Sequence, residues 1–104
     1  ITLLTPRRMA ALNRKHLGHA GATDIITFGF RDPLGAVIGD IYICPDIAAR
    51  NAKAFDRPVR EELVRLAVHG ALHVLGYEHP EGEERTRSRM WKRQEQLVRR
   101  VLAQ

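Results

Sequence analysis

The stretch from His69 to His79, HGALHVLGYEH, limits what this chain can fold into more than any other. It holds three of the five histidines at the spacing H-x-x-x-H-x-x-x-x-x-H, with Gly76 between the second and the third. Upstream and within it, Leu63, Val64, Leu66, Ala67, Val68, Ala71, Leu72 and Leu75 recur with the period of a helix rather than of a strand. The pattern predicts one helix in which His69 and His73 are i and i+4. Side chains so spaced share a face with Cβ atoms about 5–6 Å apart, close enough for two imidazoles to meet on one ion. Gly76 can take the left-handed conformation that ends a helix, letting the chain double back and bring His79 to the same point. Three neutral imidazoles leave an open fourth position, the mark of catalytic rather than structural zinc. The expected cofactor is therefore one Zn²⁺ per chain on His69, His73 and His79. A chance cluster of surface or core histidines is the plain alternative, and a third His beyond a helix-stopping Gly weighs against it.

The same spacing occurs in metzincin proteases, whose pattern places a Glu directly after the first His as general base. Here that position is Gly70. A peptidase would lack its base, so the metal must serve other hydrolysis or take its base from elsewhere.

With 104 residues there is room for one domain, 1–104. A net charge of +5 favours an anionic partner. Cys44 is the single cysteine, which excludes an internal disulfide and suits a reducing compartment. No apolar run approaches the roughly 18 residues of a membrane span, and no signal segment opens the chain, so the expected location is cytoplasmic with no membrane partner.

Ile1 to Leu4 reads as a strand, and Thr5-Pro6 as the start of a helix carrying Met9, Leu12, His16 and Leu17 and stopped by Gly18. Residues 24–30 and 36–43, joined through Pro33 and Gly35, read as a hairpin. Asp40 is the odd residue in it, either an edge position facing water or an acid facing a site or a partner. Pro45 opens a helix to about Phe55, Pro58 opens the histidine helix, and a last helix runs from Pro80 to Gln104. That helix carries Met90, Leu97, Val98 and Val101 on one face, with Arg85, Arg87, Arg89, Lys92, Arg93, Arg99 and Arg100 over the rest, a solvated face or an RNA-binding one. Trp91 could pack or stack on a base.

HGALHVLGYEH resembles the HGxLHLxGYDH signature of the YbeY family. Leu12-Asn13 followed by Thr23-Asp24-Ile25-Ile26-Thr27-Phe28 is similar to that family's LN…TDVLSF, and Gly39-Asp40-Ile41-Tyr42-Ile43-Cys44 resembles its GDIVIC run. The resemblance implies an α/β (α+β) fold, a small mixed β-sheet with a hairpin packed against about four helices, and the zinc site at the end of the central helix. It implies a zinc-dependent single-strand endoribonuclease, a hydrolase of small-subunit rRNA maturation and ribosome quality control. The implied partners are single-stranded RNA and rRNA, with ribosomal small-subunit proteins or an assembly GTPase, and no small-molecule cofactor. Thr23, Asp24 and Asp40 would face RNA or a partner. Family members usually carry a strand and helix ahead of the region that Ile1 opens, so the sequence reads as a short member or as one whose leading segment lies outside it. One departure is Leu17, where the family commonly has an Arg suited to phosphate charge. Arg14 or His19 could take that part, beside His69 and Glu78 as further catalytic candidates. Two other functions stay open: a non-catalytic zinc-bearing ribosome-assembly factor, and a metal hydrolase of small molecules or peptides, which Gly70 and the basic charge disfavour.

Overall fold

The β-branched and aromatic residues after Asp24 form β2 (Ile25–Arg31), which pairs antiparallel with β3 (Val37–Ile43) from Ile25↔Ile43 to Arg31↔Val37. Asp32 closes the turn between them, its Oδ1 accepting from the backbone N–H groups of Leu34 and Ala36 at 2.9 Å each, with Gly35 at φ 88°. The short β1 (Thr2–Leu3) adds in parallel to the other side of β3, so the sheet order is β1-β3-β2 and the sheet is mixed. The computed structural model describes residues 1–78 and 88–104. Among them stand four helices: α1 (Pro6–Leu17), α2 (Pro45–Ala54), α3 (Val59–Val74) and α4 (Arg89–Leu102). None is long and apolar enough to cross a membrane.

Strand alternation gives the sheet two faces. Ile26, Phe28 and Tyr42 pack with Met9 and Leu12 of α1, while Ile25, Ile41 and Ile43 pack with Leu63, Leu66 and Ala67 of α3 and with Ala48 of α2. Thr5 caps α1 by accepting the Arg8 N–H on Oγ1, and Gly18 at φ 68° ends it. This is the expected α+β arrangement, with the histidine helix central.

α3 lies close on the sheet because glycines meet it there. A Cβ on Gly70 would stand 2.8 Å from Ile41 Cγ2 and 3.1 Å from Thr27 Cγ2, and one on Gly39 would stand 2.4 Å from Val74 Cγ1. Gly70 thus faces the strands. The turn of about 100° between successive helix residues sets it away from His69.

α4 starts later than the sequence suggests. Ser88 is extended at φ −69° and ψ 156° and its Oγ accepts the Trp91 N–H at 3.1 Å, so it caps a helix beginning at Arg89. The expected beginning at Pro80, with Arg85 and Arg87, lies outside the described residues. The buried stripe of α4 is Met90, Gln94 and Val98. Those steps of four continue to Leu102, which leaves Val101 on the flank, 39% exposed.

Gly70→Ala is expected to lower the urea midpoint. Overpacking costs about 1–3 kcal/mol, more than the gain of about 1 kcal/mol from replacing a helical glycine. An unchanged or raised midpoint would show that α3 can lift off the sheet at little cost.

Candidate metal centre

The C-terminal end of α3 is closed by a glycine turn. Gly76, at φ 100°, donates its N–H to the His73 carbonyl at 2.9 Å, and Tyr77 donates to the Leu72 carbonyl at 3.0 Å. These are the paired bonds of a Schellman motif, which needs a left-handed residue at the position Gly76 holds. The turn carries the Tyr77 carbonyl back over the last turn of the helix, 3.1 Å from His73 Nδ1. A carbonyl only accepts, so His73 Nδ1 carries the proton.

The same reasoning fixes His69. Its Nδ1 lies 2.6 Å from Gln94 Oε1, and the Gln94 amide is oriented by its Nε2–H, which donates to Glu95 Oε2 at 3.1 Å. The atom facing His69 is therefore an acceptor, and His69 Nδ1 donates to it. With both protons on Nδ1, the two Nε2 atoms turn their lone pairs toward one another at 3.1 Å, the rings crossing at 81°. Neutral imidazoles so held repel unless a shared cation lies between them. Ligands about 2.0–2.1 Å from one tetrahedral ion stand about 3.3 Å apart, so the donor set fits a divalent metal. Among the described residues no set of three or more His, Cys, Asp or Glu side chains could hold a metal ion. The third expected ligand, His79, lies outside them.

Behind Gln94 stands a charged group that the sequence did not reveal. Arg65 donates to Glu95 through Nε at 3.0 Å and Nη2 at 2.8 Å, and through Nη2 to Glu61 at 3.0 Å. The hydrogen bond from Arg65 holds the Glu95 carboxyl below the usual carboxylate range, against the effect of its own burial, and the bond to Glu95 pushes the guanidinium pKa up. The chain Arg65–Glu95–Gln94–His69 ends on a ring nitrogen, and acceptors of this kind raise the basicity of the opposite nitrogen. Gln94 is 1% exposed. Its signal in the sequence is a polar residue at the centre of an apolar stripe, four residues from both Met90 and Val98.

One cavity borders the pair at His69, and two shallow pockets that share Tyr77 and Arg89 lie beyond the Gly76 turn. The cavity beside His69, of about 270 Å³, is also lined by Asp24, Glu62, Gln94 and Trp91. On the side of Tyr77, a groove runs past Glu78, Arg89, Lys92 and Arg93. Asp24 is fixed by hydrogen bonds from Thr23 Oγ1 and Asn51 Nδ2, each 3.3 Å. The other expected residues are not brought to the pair. Asp40 is exposed opposite Phe28, on the sheet face away from α3. Arg14 is exposed on α1, which packs on that far face, and His19 is exposed in the turn that leaves α1. Leu17 is exposed, and His16 packs its ring against Phe28 at 5.5 Å.

A depressed Glu95 pKa means that this carboxylate stabilises the fold above its unfolded value and that the contribution is lost as pH falls through the folded one. Glu62 works the other way: burial raises its carboxyl, so its contribution is present at low pH and lost as pH rises. Glu95→Gln isolates the first effect. It is expected to cost about 1–3 kcal/mol at neutral pH, with the gap to wild type closing below about pH 4, read from urea midpoints at neutral pH and near pH 3. A gap independent of pH would mean that the charge on Glu95 adds nothing to the fold.

Comparison with known proteins shows the family of the chain. The chain matches the family model described as Endoribonuclease YbeY over residues 1–102. It is 34% identical over 110 residues to the protein named Endoribonuclease YbeY of Frankia casuarinae, covering 94% of this chain and 54% of the relative. It is 35% identical over 101 residues to that of Thermotoga petrophila, covering 97% of this chain and 65% of the relative. A solution structure of a Thermotoga maritima protein superposes with a TM-score of 0.68 at 31% identity, covering 97% of this chain and 65% of that one. The chain thus spans between 54% and 65% of the length of these proteins. It belongs to the YbeY family.

Proposed function

We propose that this chain is the metal-bearing part of a zinc-dependent endoribonuclease that cuts single-stranded RNA in small-subunit rRNA maturation and ribosome quality control. The observation that carries this reading is the pair of Nε2 atoms 3.1 Å apart, each ring tied through Nδ1 to an oxygen that can only accept. In it His69, His73 and His79 hold the ion. Zinc held there would supply Lewis acidity toward a phosphoryl oxygen and water.

The chain's own residues do the rest. Gln94 and the Tyr77 carbonyl keep the two rings in the tautomer that offers Nε2. Arg89, Lys92 and Arg93 along the groove bind successive phosphates and take the part that an Arg at position 17 has in the family. Glu78, exposed just after the Gly76 turn, is the carboxylate that would accept a proton. An unpaired strand can bend between groove and cavity where a duplex cannot, which gives the single-strand preference. Asp40, on the far sheet face, is left for a protein partner, a ribosomal small-subunit protein or an assembly GTPase.

Metal content and cleavage of a labelled single-stranded RNA test this together. Wild type is expected to hold about one zinc per chain, to lose cleavage to a chelator and to regain it with zinc. His73→Ala loses both metal and cleavage. Gln94→Leu weakens zinc about 10–100-fold in competition with a chelating dye. Zinc bound without cleavage would instead make the protein a non-catalytic assembly factor. Replacing Arg89, Lys92 and Arg93 together with Ala should reduce the slope of log affinity for RNA against log salt by about 2, at about 0.7 per single-strand phosphate contact. An unchanged slope would move the RNA path off this groove.

A further inference from the structure

We propose that the cavity beside His69 is a nucleobase site that selects an unpaired guanine next to the bond to be cut; the inference rests on the ribonuclease reading. The walls are the evidence. Trp91 and Phe55 offer aromatic faces, and Asp24, Glu62 and Asn51 offer acceptors, all around one space of about 270 Å³ that reaches His69. The carboxylates of Asp24 and Glu62 disfavour a phosphate, since the Arg65 that also lines the space is paired with Glu61 and Glu95, and the basic groove suits the RNA backbone instead. What the two carboxylates accept is N–H. Guanine is the base whose pairing edge sets two N–H donors side by side, N1–H and N2–H, and a carboxylate receives both at once.

Glu62 is the residue placed to do this. The Asp24 carboxylate already accepts from Thr23 and Asn51. Glu62 is half-buried, and among the described residues no hydrogen bond or ion pair to its carboxylate is formed. Burial raises its carboxyl, only partly offset by the charges of Arg65 and Arg57 nearby. Along α3 it precedes His69 by seven residues, two turns on the same face and about 10 Å. That is the reach from the pairing edge of a purine nucleotide to its own phosphate. A base stacked on Trp91 with its edge on Glu62 would leave its phosphate at the histidine pair. Base–aromatic stacking adds affinity without regard to sequence, so the carboxylate sets the choice.

Trp91 is the chain's one tryptophan, so its fluorescence reports this cavity alone. The test titrates the zinc-loaded protein with guanosine monophosphate and with uridine monophosphate, which share a phosphate and differ in the base. Guanosine monophosphate is expected to quench at a concentration about tenfold lower, the scale of one bidentate base contact. Glu62→Gln sets an amide N–H against the guanine donors and should bring the ratio of the two midpoints close to one. Phe55→Ala, at a residue 70% exposed, spares the core and weakens both nucleotides. Equal quenching by the two nucleotides, a ratio unmoved by Glu62→Gln, or saturable quenching by arginine amide in place of the nucleotide would overturn the proposal, the last marking a peptide site. Selective quenching by a protein that cuts no RNA would uphold the guanine site and remove the ribonuclease reading. RNA cleavage with no preference at guanine would do the reverse.

Discussion

Two imidazole Nε2 atoms stand 3.1 Å apart, each ring tied from behind by an oxygen, and much of the fold serves to hold them there. The i, i+4 spacing on α3 brings the rings together, but only the oxygens behind them decide which nitrogen faces inward. One oxygen is a backbone carbonyl delivered by a glycine turn, the other a side-chain amide delivered by α4. Each depends on packing elsewhere. The amide stands where it does because Met90 and Val98 bury the face of α4 that carries it, and because Arg65 and Glu95 tie α4 to α3. The seat of α3 on the sheet rests in turn on glycines at its contacts.

Charge is divided about that pair. The exposed side of α4 carries Arg89, Lys92, Arg93, Arg99 and Arg100, which accounts for much of the +5 excess. The cavity on the other side of His69 presents Asp24 and Glu62. On the endoribonuclease reading proposed above, that division would draw an RNA backbone to the basic side and leave the acidic cavity to other groups. A uniformly basic site would bind more tightly at low salt yet give no orientation. The division sets direction as well as affinity.

The elements were largely legible, because their signals are local. Thr5-Pro6 and Gly18 bound α1, the Pro33–Gly35 loop marks the hairpin, and Gly76 marks the end of α3. What the sequence concealed depends on which face meets which. Asp40 stands out in its strand as an uncompensated acid, but only the register with Phe28 and the packing of α1 place it on the side away from α3. Gln94 was hidden for a related reason. Periodicity identified the α4 stripe through its apolar members and passed over the polar one among them, whose partners lie 25 residues earlier at His69 and on the neighbouring Glu95. Glu95 and Arg65 escaped likewise, since a bond across 30 residues leaves no local trace.

Gly70 shows why a shared ligand spacing does not carry a shared mechanism. Histidines at i and i+4 can present an ion on any amphipathic helix, but the residue after the first histidine points about 100° around the axis. Whether it reaches the metal depends on which side of the helix is buried. In this fold that side lies on β2 and β3, and Gly70 would bring even a single Cβ to 2.8 Å from Ile41. A carboxylate there would enter the core rather than act as base. The helix has given that position to packing, so any acid–base group serving a metal held here would come from segments outside α3. Among the described residues such segments include the Gly76 turn, which brings the Tyr77 carbonyl to 3.1 Å from His73 Nδ1 and carries Glu78, and the stretch at Asp24, which lines the cavity beside His69.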